Sequence, residues 1–218
     1  MRFLRQGARC FAACLLVGCS TGEGSGNVTS DRLVVGDCVD GPLDLQPTFF
    51  ATIPSGDTQQ IRIQRGDQPI SISDGVLLLV NGVSEIRENE IGKPISMGLP
   101  IGVEPPGFPV RLAINPPQTS LTLYLYNTCH VQNGAVYSVS GTIVFDSLFS
   151  GDRNEDRATD RLTAAHFETT VADPRDGKVV LDPATGDATV EFPPDRTSVV
   201  QGDFRFFFQR GQPAQPFQ

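Results

Sequence analysis

Hydrophobic and polar positions alternate with a period of two along much of this chain. Phe108, Val110, Leu112 and Ile114 are interleaved with Pro109, Arg111 and Ala113, and Leu121, Leu123 and Leu125 with Thr122, Tyr124 and Tyr126. Tyr137, Val139, Gly141, Ile143 and Phe145 fall on one face of a long predicted strand, opposite Ser138, Ser140, Thr142 and Asp146. Between Leu162 and Val171, the residues Ala165, Phe167, Thr169 and Val171 share one face, and His166 and Glu168 the other. Phe204, Phe206 and Phe208 oppose Asp203, Arg205 and Gln209. Such alternation predicts sheets with one face turned to a core. Val76 to Val80 is apolar at every position. Its length and the flanking Gly75 and Asn81-Gly82 predict a strand covered on both faces. Asp182 to Asp187 is a turn sequence that closes a hairpin between Lys178–Leu181 and Ala188–Phe192.

No stretch of a dozen residues carries a helical period. Glu85 to Ile91 and Asp152 to Arg161 are the candidates for short helical turns. With 17 prolines and 22 glycines punctuating many short strands, the fold class is all-β. The expected architecture is an antiparallel β-sandwich of immunoglobulin-like or jelly-roll-like type, with a β-barrel as the second choice. Residues 32–218 are read as one domain, with Gln132-Asn133-Gly134 as a possible subdomain boundary.

The first twenty residues break this pattern. Arg2, Arg5 and Arg9 form a positive head, followed by the apolar run Cys10 to Val17. That run is about eight residues, within the range of a secretory signal and far below the ~20 needed to span a bilayer. It ends in Leu16-Val17-Gly18-Cys19, which resembles the lipobox of bacterial lipoproteins. The resemblance implies cleavage between Gly18 and Cys19, removal of residues 1–18 as a signal peptide, and acylation of Cys19, with palmitate-type chains anchoring the protein to a membrane. One chain binds a membrane marginally; two or three anchor it stably. Ser20, in place of aspartate, implies sorting to the outer membrane by resemblance to the enterobacterial rule. Residues 19–31 are rich in glycine and serine and are read as the lipidated cysteine with a flexible tether, whose r.m.s. reach would be ~20 Å. Gly22, Gly24 and Gly26 suggest no dinucleotide loop, because no strand precedes them and no helix follows.

The signal assignment changes the cysteine count and the charge. Of five cysteines, Cys10 and Cys14 leave with the signal and Cys19 carries lipid. Cys38 and Cys129 remain, in an oxidising compartment, and are expected to form a disulfide closing a loop of 129 − 38 = 91 residues. Three of the 17 basic residues and none of the 25 acidic ones precede Cys19, so the remainder carries 14 against 25, a net charge of −11. This acidity disfavours nucleic acid and anionic lipid surfaces as partners.

Candidate chemistry is sparse. The chain has two histidines, no tryptophan and no nucleophile-elbow, zincin or phosphate-loop motif. His166 and Glu168 have the spacing of an acid–base or metal pair, but an exposed strand face accounts for both. His130 reads as a loop residue. Asp152, Asn154, Asp156 and Asp160 have the spacing of a calcium loop, the one Ca2+ candidate. However, Arg157 stands where such a loop requires glycine, Thr163 replaces its bidentate glutamate, and the expected reading is a solvated charged loop. No residue is assigned a catalytic role.

The lipobox, the acidic β body and the closing Phe204 to Phe217 segment together resemble envelope lipoproteins of myxobacteria, a likeness that implies an address and no activity. The expected function is non-enzymatic. A membrane-held β domain, periplasmic or surface-facing, presents its loops to a protein or polysaccharide of the cell envelope. The alternatives are a cell-envelope hydrolase whose site converges only in three dimensions, and a purely structural or assembly lipoprotein.

Overall fold

The structure, a computed structural model, describes residues 20–66, 73–100, 102–103, 117–130, 134–152, 156–181 and 188–208. Its strands are β1 (Ser20–Val35), β2 (Val39–Leu45), β3 (Phe49–Ser55), β4 (Thr58–Gln64), β5 (Asp74–Asn81), β6 (Pro94–Ser96), β7 (Thr119–Leu125), β8 (Ala135–Ser147), β9 (Leu162–Ala172), β10 (Lys178–Leu181), β11 (Ala188–Glu191) and β12 (Thr197–Phe208). A helical turn, α1 (Val83–Glu85), runs into a π-type turn over Ile86–Glu90.

The class is all-β, and of the two expected architectures it is the barrel that forms. Eight antiparallel strands close in the order β1-β3-β4-β5-β7-β8-β9-β12, and β12 returns to pair with β1. The sandwich expectation fails because period-two alternation records only that each strand has an inner and an outer face. It is silent on whether the first and last strands meet. β2 continues the line of β3 along the same edge of β1, and β6 continues that of β7 along β8. β10 and β11 form a separate hairpin, as the turn sequence between them predicts.

The meeting of β1 and β12 corrects a second expectation. Residues 20–31 are no tether; they are most of β1. Gly22, Gly24 and Gly26 stand opposite Phe208, Phe206 and Phe204. A Cβ on Gly24 would lie 2.1 Å from the Arg205 carbonyl oxygen and 2.4 Å from the Phe206 Cβ, and one on Gly22 would lie 2.7 Å from a Phe206 ring carbon. The glycines therefore let β12 approach closely and make room for its rings. Phe206 stacks on Phe50 with centroids 5.3 Å apart, and Phe208 packs on Phe149 at 4.3 Å.

The barrel interior is filled by side chains. Ile61, Ile63, Val76, Leu78, Leu121, Leu123, Ile143, Phe145, Phe204 and Phe206 are all buried there. Leu77 and Leu79, on the outer side of the all-apolar β5, are half-buried. On the outer wall, Gln60, Glu168, His166, Gln201, Asp203 and Arg205 meet solvent. This inside-out distribution is the reverse of a membrane-spanning barrel, whose apolar band faces outward. Among the described residues no helix is long and apolar enough to cross a membrane.

The expected single face of β8 is divided. A register shift between Ser138 and Ser140 places Val136 and Ser138 inside with Gly141, Ile143 and Phe145, so Tyr137 and Val139 turn outward. Gly141 has φ 141° there, and a Cβ on it would meet the Glu168 carbonyl oxygen at 2.4 Å. The bulge costs no buried polar group, because the Ser138 hydroxyl donates to the Gly98 carbonyl (2.6 Å) and accepts from the Leu121 N–H (2.8 Å). Of the possible boundary at 132–134, Gln132 and Asn133 lie outside the described residues. The strands on either side, β7 and β8, pair within one sheet. The predicted strand over 108–114 also lies outside the described residues.

Candidate functional site

Among the described residues the interior is packed with side chains, and the polar groups that a ligand could meet lie on the outer wall and the two rims. On the wall, two rungs of side chains cross β8, β9, β12 and β1 at right angles to the strands. One is Thr142, Glu168, Gln201 and Thr29; the other is Val144, His166, Asp203 and Asn27. Each rung spans three strand spacings, about 14 Å. Strand pairing places these residues together, and alternation turns them all outward. Gln201 donates through Nε2 to the Glu168 Oε2 at 2.7 Å. His166 Nδ1 lies 3.8 Å from Asp146 Oδ2, with their side chains 60% and 62% exposed. The rungs line a shallow, solvent-open groove, in which Val144 and Phe167 add apolar surface to the polar side chains.

At the first rim, here the entry rim, β1 begins, β12 reaches Phe208, β8 ends and β9 begins. The Asp57 carboxylate accepts from the Ser84 N–H and hydroxyl, both at 2.8 Å, and the Asp57 carbonyl from the N–H groups of Gly82 and Val83. These bonds to the Ser84 backbone and hydroxyl hold the Asp57 carboxyl below the usual carboxylate range. They fix α1 over the barrel end, where Val83 and Ile86 are buried.

At the far rim, Cys38 of the β1–β2 turn is bonded to Cys129 of the β7–β8 turn, with Cα atoms 5.7 Å apart. β7 is four strands from β1 in the ring, so the disulfide joins opposite sides of the barrel mouth. Cys129 does not arrive on a continued strand: β7 stops at Leu125, and the Cys129 N–H donates back to the Leu125 carbonyl at 2.6 Å. Asp74, buried, accepts from the N–H groups of Asn127 and Thr128 (both 3.0 Å) and the Thr128 hydroxyl (2.7 Å), and so shapes that turn. Beside the disulfide, Asp173, Arg175, Asp176, Asp37 and Arg196 line a polar depression. Burial opposes ionisation of Asp173. Bonds from the Arg175 guanidinium and N–H outweigh it and hold the carboxyl below the usual range. The β10–β11 hairpin belongs to this end and exposes Val180 and Leu181.

Half-buried on the wall between the rims, Arg62 donates to the Tyr124 hydroxyl (2.9 Å), which donates to Gln64 (3.0 Å). Burial pushes the Tyr124 phenol above its ordinary value, and Arg62 pulls against that shift. With its hydroxyl committed and the residue 5% exposed, Tyr124 is a packing residue.

Of the residues singled out in the sequence, Cys38 and Cys129 are joined. Gly18 and Cys19 lie outside the described residues, and Ser20, the next residue, opens β1. In the calcium candidate, Asn154 lies outside the described residues, Asp152 and Asp156 are exposed, and Asp160 sits in a 3-10 turn over Ala158–Arg161. Among the described residues, no three carboxylate, histidine or cysteine side chains converge on a possible ion. His130 sits exposed in the β7–β8 turn at φ 50°. Sequence reading missed the wall groove and the Asp74 cap, because both assemble residues more than fifty positions apart. Comparison with known protein families, with curated proteins and with solved structures finds no match to this chain.

Proposed function

We propose that the chain is a non-enzymatic envelope lipoprotein, anchored through acylated Cys19, whose barrel wall binds an envelope polysaccharide. The observation that carries the reading is the pair of rungs on β8, β9, β12 and β1. They set Thr, Glu, Gln, His, Asp and Asn side chains side by side on rigid strands. Hydroxyl-rich chains are recognised by such planar arrays of donors and acceptors, and a strand framework costs little ordering on binding. The groove is shallow and solvent-open, which suits a linear polymer better than an enclosed small molecule. The acidity of the chain is compatible with neutral or basic glycans.

Titration of the full-length protein with purified envelope polysaccharide, followed by NMR or calorimetry, tests this. Binding that falls at least tenfold in a Gln201→Ala/His166→Ala double variant is the expected result. Unchanged affinity in that variant would remove the groove from the reading. A second reading, a protein partner at the far rim, is favoured by Leu181, which is 57% exposed at the end of β10. In that case Leu181→Asp, and not the groove variant, would abolish recovery of the partner after crosslinking in intact cells.

A further inference from the structure

We infer that the entry rim is a membrane-docking surface, with Phe207 seated among lipid headgroups; this rests on the reading of Cys19 as the acylated residue. Cys19 precedes Ser20 by one peptide bond, so the two Cα atoms are about 3.8 Å apart. Ser20 is already paired with Thr52, and Gly22 with both Phe50 and Phe208. The slack that a flexible tether would provide is absent. Acyl chains on Cys19 would pull the rim itself into the headgroup layer, which is several ångströms deep on each side of the hydrocarbon core.

The rim has a side chain suited to that layer. Phe207 points outward from the last described turn of β12, next to Glu23 on β1 and Leu162 on β9, and is 40% exposed. The Arg205 guanidinium lies 5.8 Å from the centre of its ring, and Arg161 Nη1 lies 3.5 Å from the neighbouring Phe208 carbonyl oxygen. An exposed phenylalanine ring beside an arginine suits the boundary between lipid and water, the ring buried in the interface and the charge turned to water and phosphate. Glu23 beside the ring and the net negative charge of the chain oppose attraction to anionic lipid. The occupant is therefore a zwitterionic lipid surface, held by acyl insertion and burial of the ring. Docking would also fix orientation, turning the disulfide-closed rim and the β10–β11 hairpin away from the membrane.

The chain contains no tryptophan, so F207W and Y126W each introduce a single reporter, one at either rim, by exchanging one exposed aromatic for another. Each full-length lipoprotein is purified in detergent, and the mass of its amino-terminal peptide is measured. It is then reconstituted into phosphatidylcholine vesicles with and without brominated acyl chains. Docking predicts that F207W emission moves to the blue and is quenched by brominated lipid, while Y126W keeps its full emission. An acylated protein in which F207W is unquenched, or in which Y126W is quenched equally, overturns the docking and leaves the anchor standing. An unmodified Cys19 overturns the anchor and the docking with it.

Discussion

Asp173 shows how one side chain couples a rim to pH. It is buried at the far end of the barrel and stays ionised because Arg175 donates to both carboxylate oxygens. A carboxyl whose folded value is lowered contributes stability that is fully present above the ordinary aspartate value of about 3.9 and is lost as pH falls through the folded value. Asp57 titrates in the same direction through its bonds to Ser84. Melting temperature should therefore fall as pH drops below about 4. In Asp173→Asn the acid-side loss should be shallower and the neutral-pH stability lower. A variant that tracks the parent across the whole range would show that the pair contributes nothing. Neither partner is conspicuous in the sequence, although Asp173-Pro174-Arg175 has the spacing for an aspartate to cap its own turn.

At the scale of elements, the decisive contact is between the first strand and the last. β1 has few side chains to bury in its first half, and β12 supplies them. Gly24→Val would place a Cβ well inside contact distance of the Arg205 carbonyl and Phe206. Overpacking of this kind costs typically 1–3 kcal/mol, and more where backbone is the obstacle. We expect Gly24→Val to lower the unfolding midpoint in urea, with a larger effect than Ser25→Val on the outer side of the same strand. The glycine alternation was present in the sequence. Glycines carry no hydrophobic signal, so the segment reads as a linker, although Val28 continues their period. The faces of β9 and β12, with Phe167, Phe204 and Phe206 inside and His166, Glu168 and Arg205 outside, were legible because each residue declares its own side. Alternation alone puts Tyr137 and Val139 on the face of Ile143 and Phe145; a single-residue bulge reverses it, and only the pairing with β9 reveals that.

At the scale of the molecule, the disulfide and the strand closure act on different parts of the ring. Closure ties β1 to β12, while Cys38–Cys129 ties β1 to the β7–β8 turn on the opposite wall. A link across 91 residues is worth at most ~4–5 kcal/mol in the chain-entropy account. Cys38→Ser/Cys129→Ser should therefore lower the melting temperature substantially while leaving the β-sheet circular dichroism of the folded protein unchanged. Equal melting of the two forms would mean that the disulfide adds nothing at the far rim to the contacts of Asp74 and Asp173.

The sequence by itself determined the class, the faces of β9 and β12 and the late hairpin, and the lipobox resemblance left Cys38 and Cys129 as the expected pair, which the structure joins. These are local or arithmetic properties: a side chain's polarity selects its face, and two remaining thiols have one way to pair. Only the tertiary structure decided that the sheet closes, that the glycine-rich start is a wall of the barrel, and that Thr142, His166, Gln201 and Asn27 share a groove. The physical reason is common to all three. Closure and groove depend on hydrogen-bond register between strands far apart in the chain, and register is set by close approach and bulges that carry no hydrophobic signal in the sequence. The meeting of Gly24 with Phe206 makes the glycine-rich start a wall of the barrel.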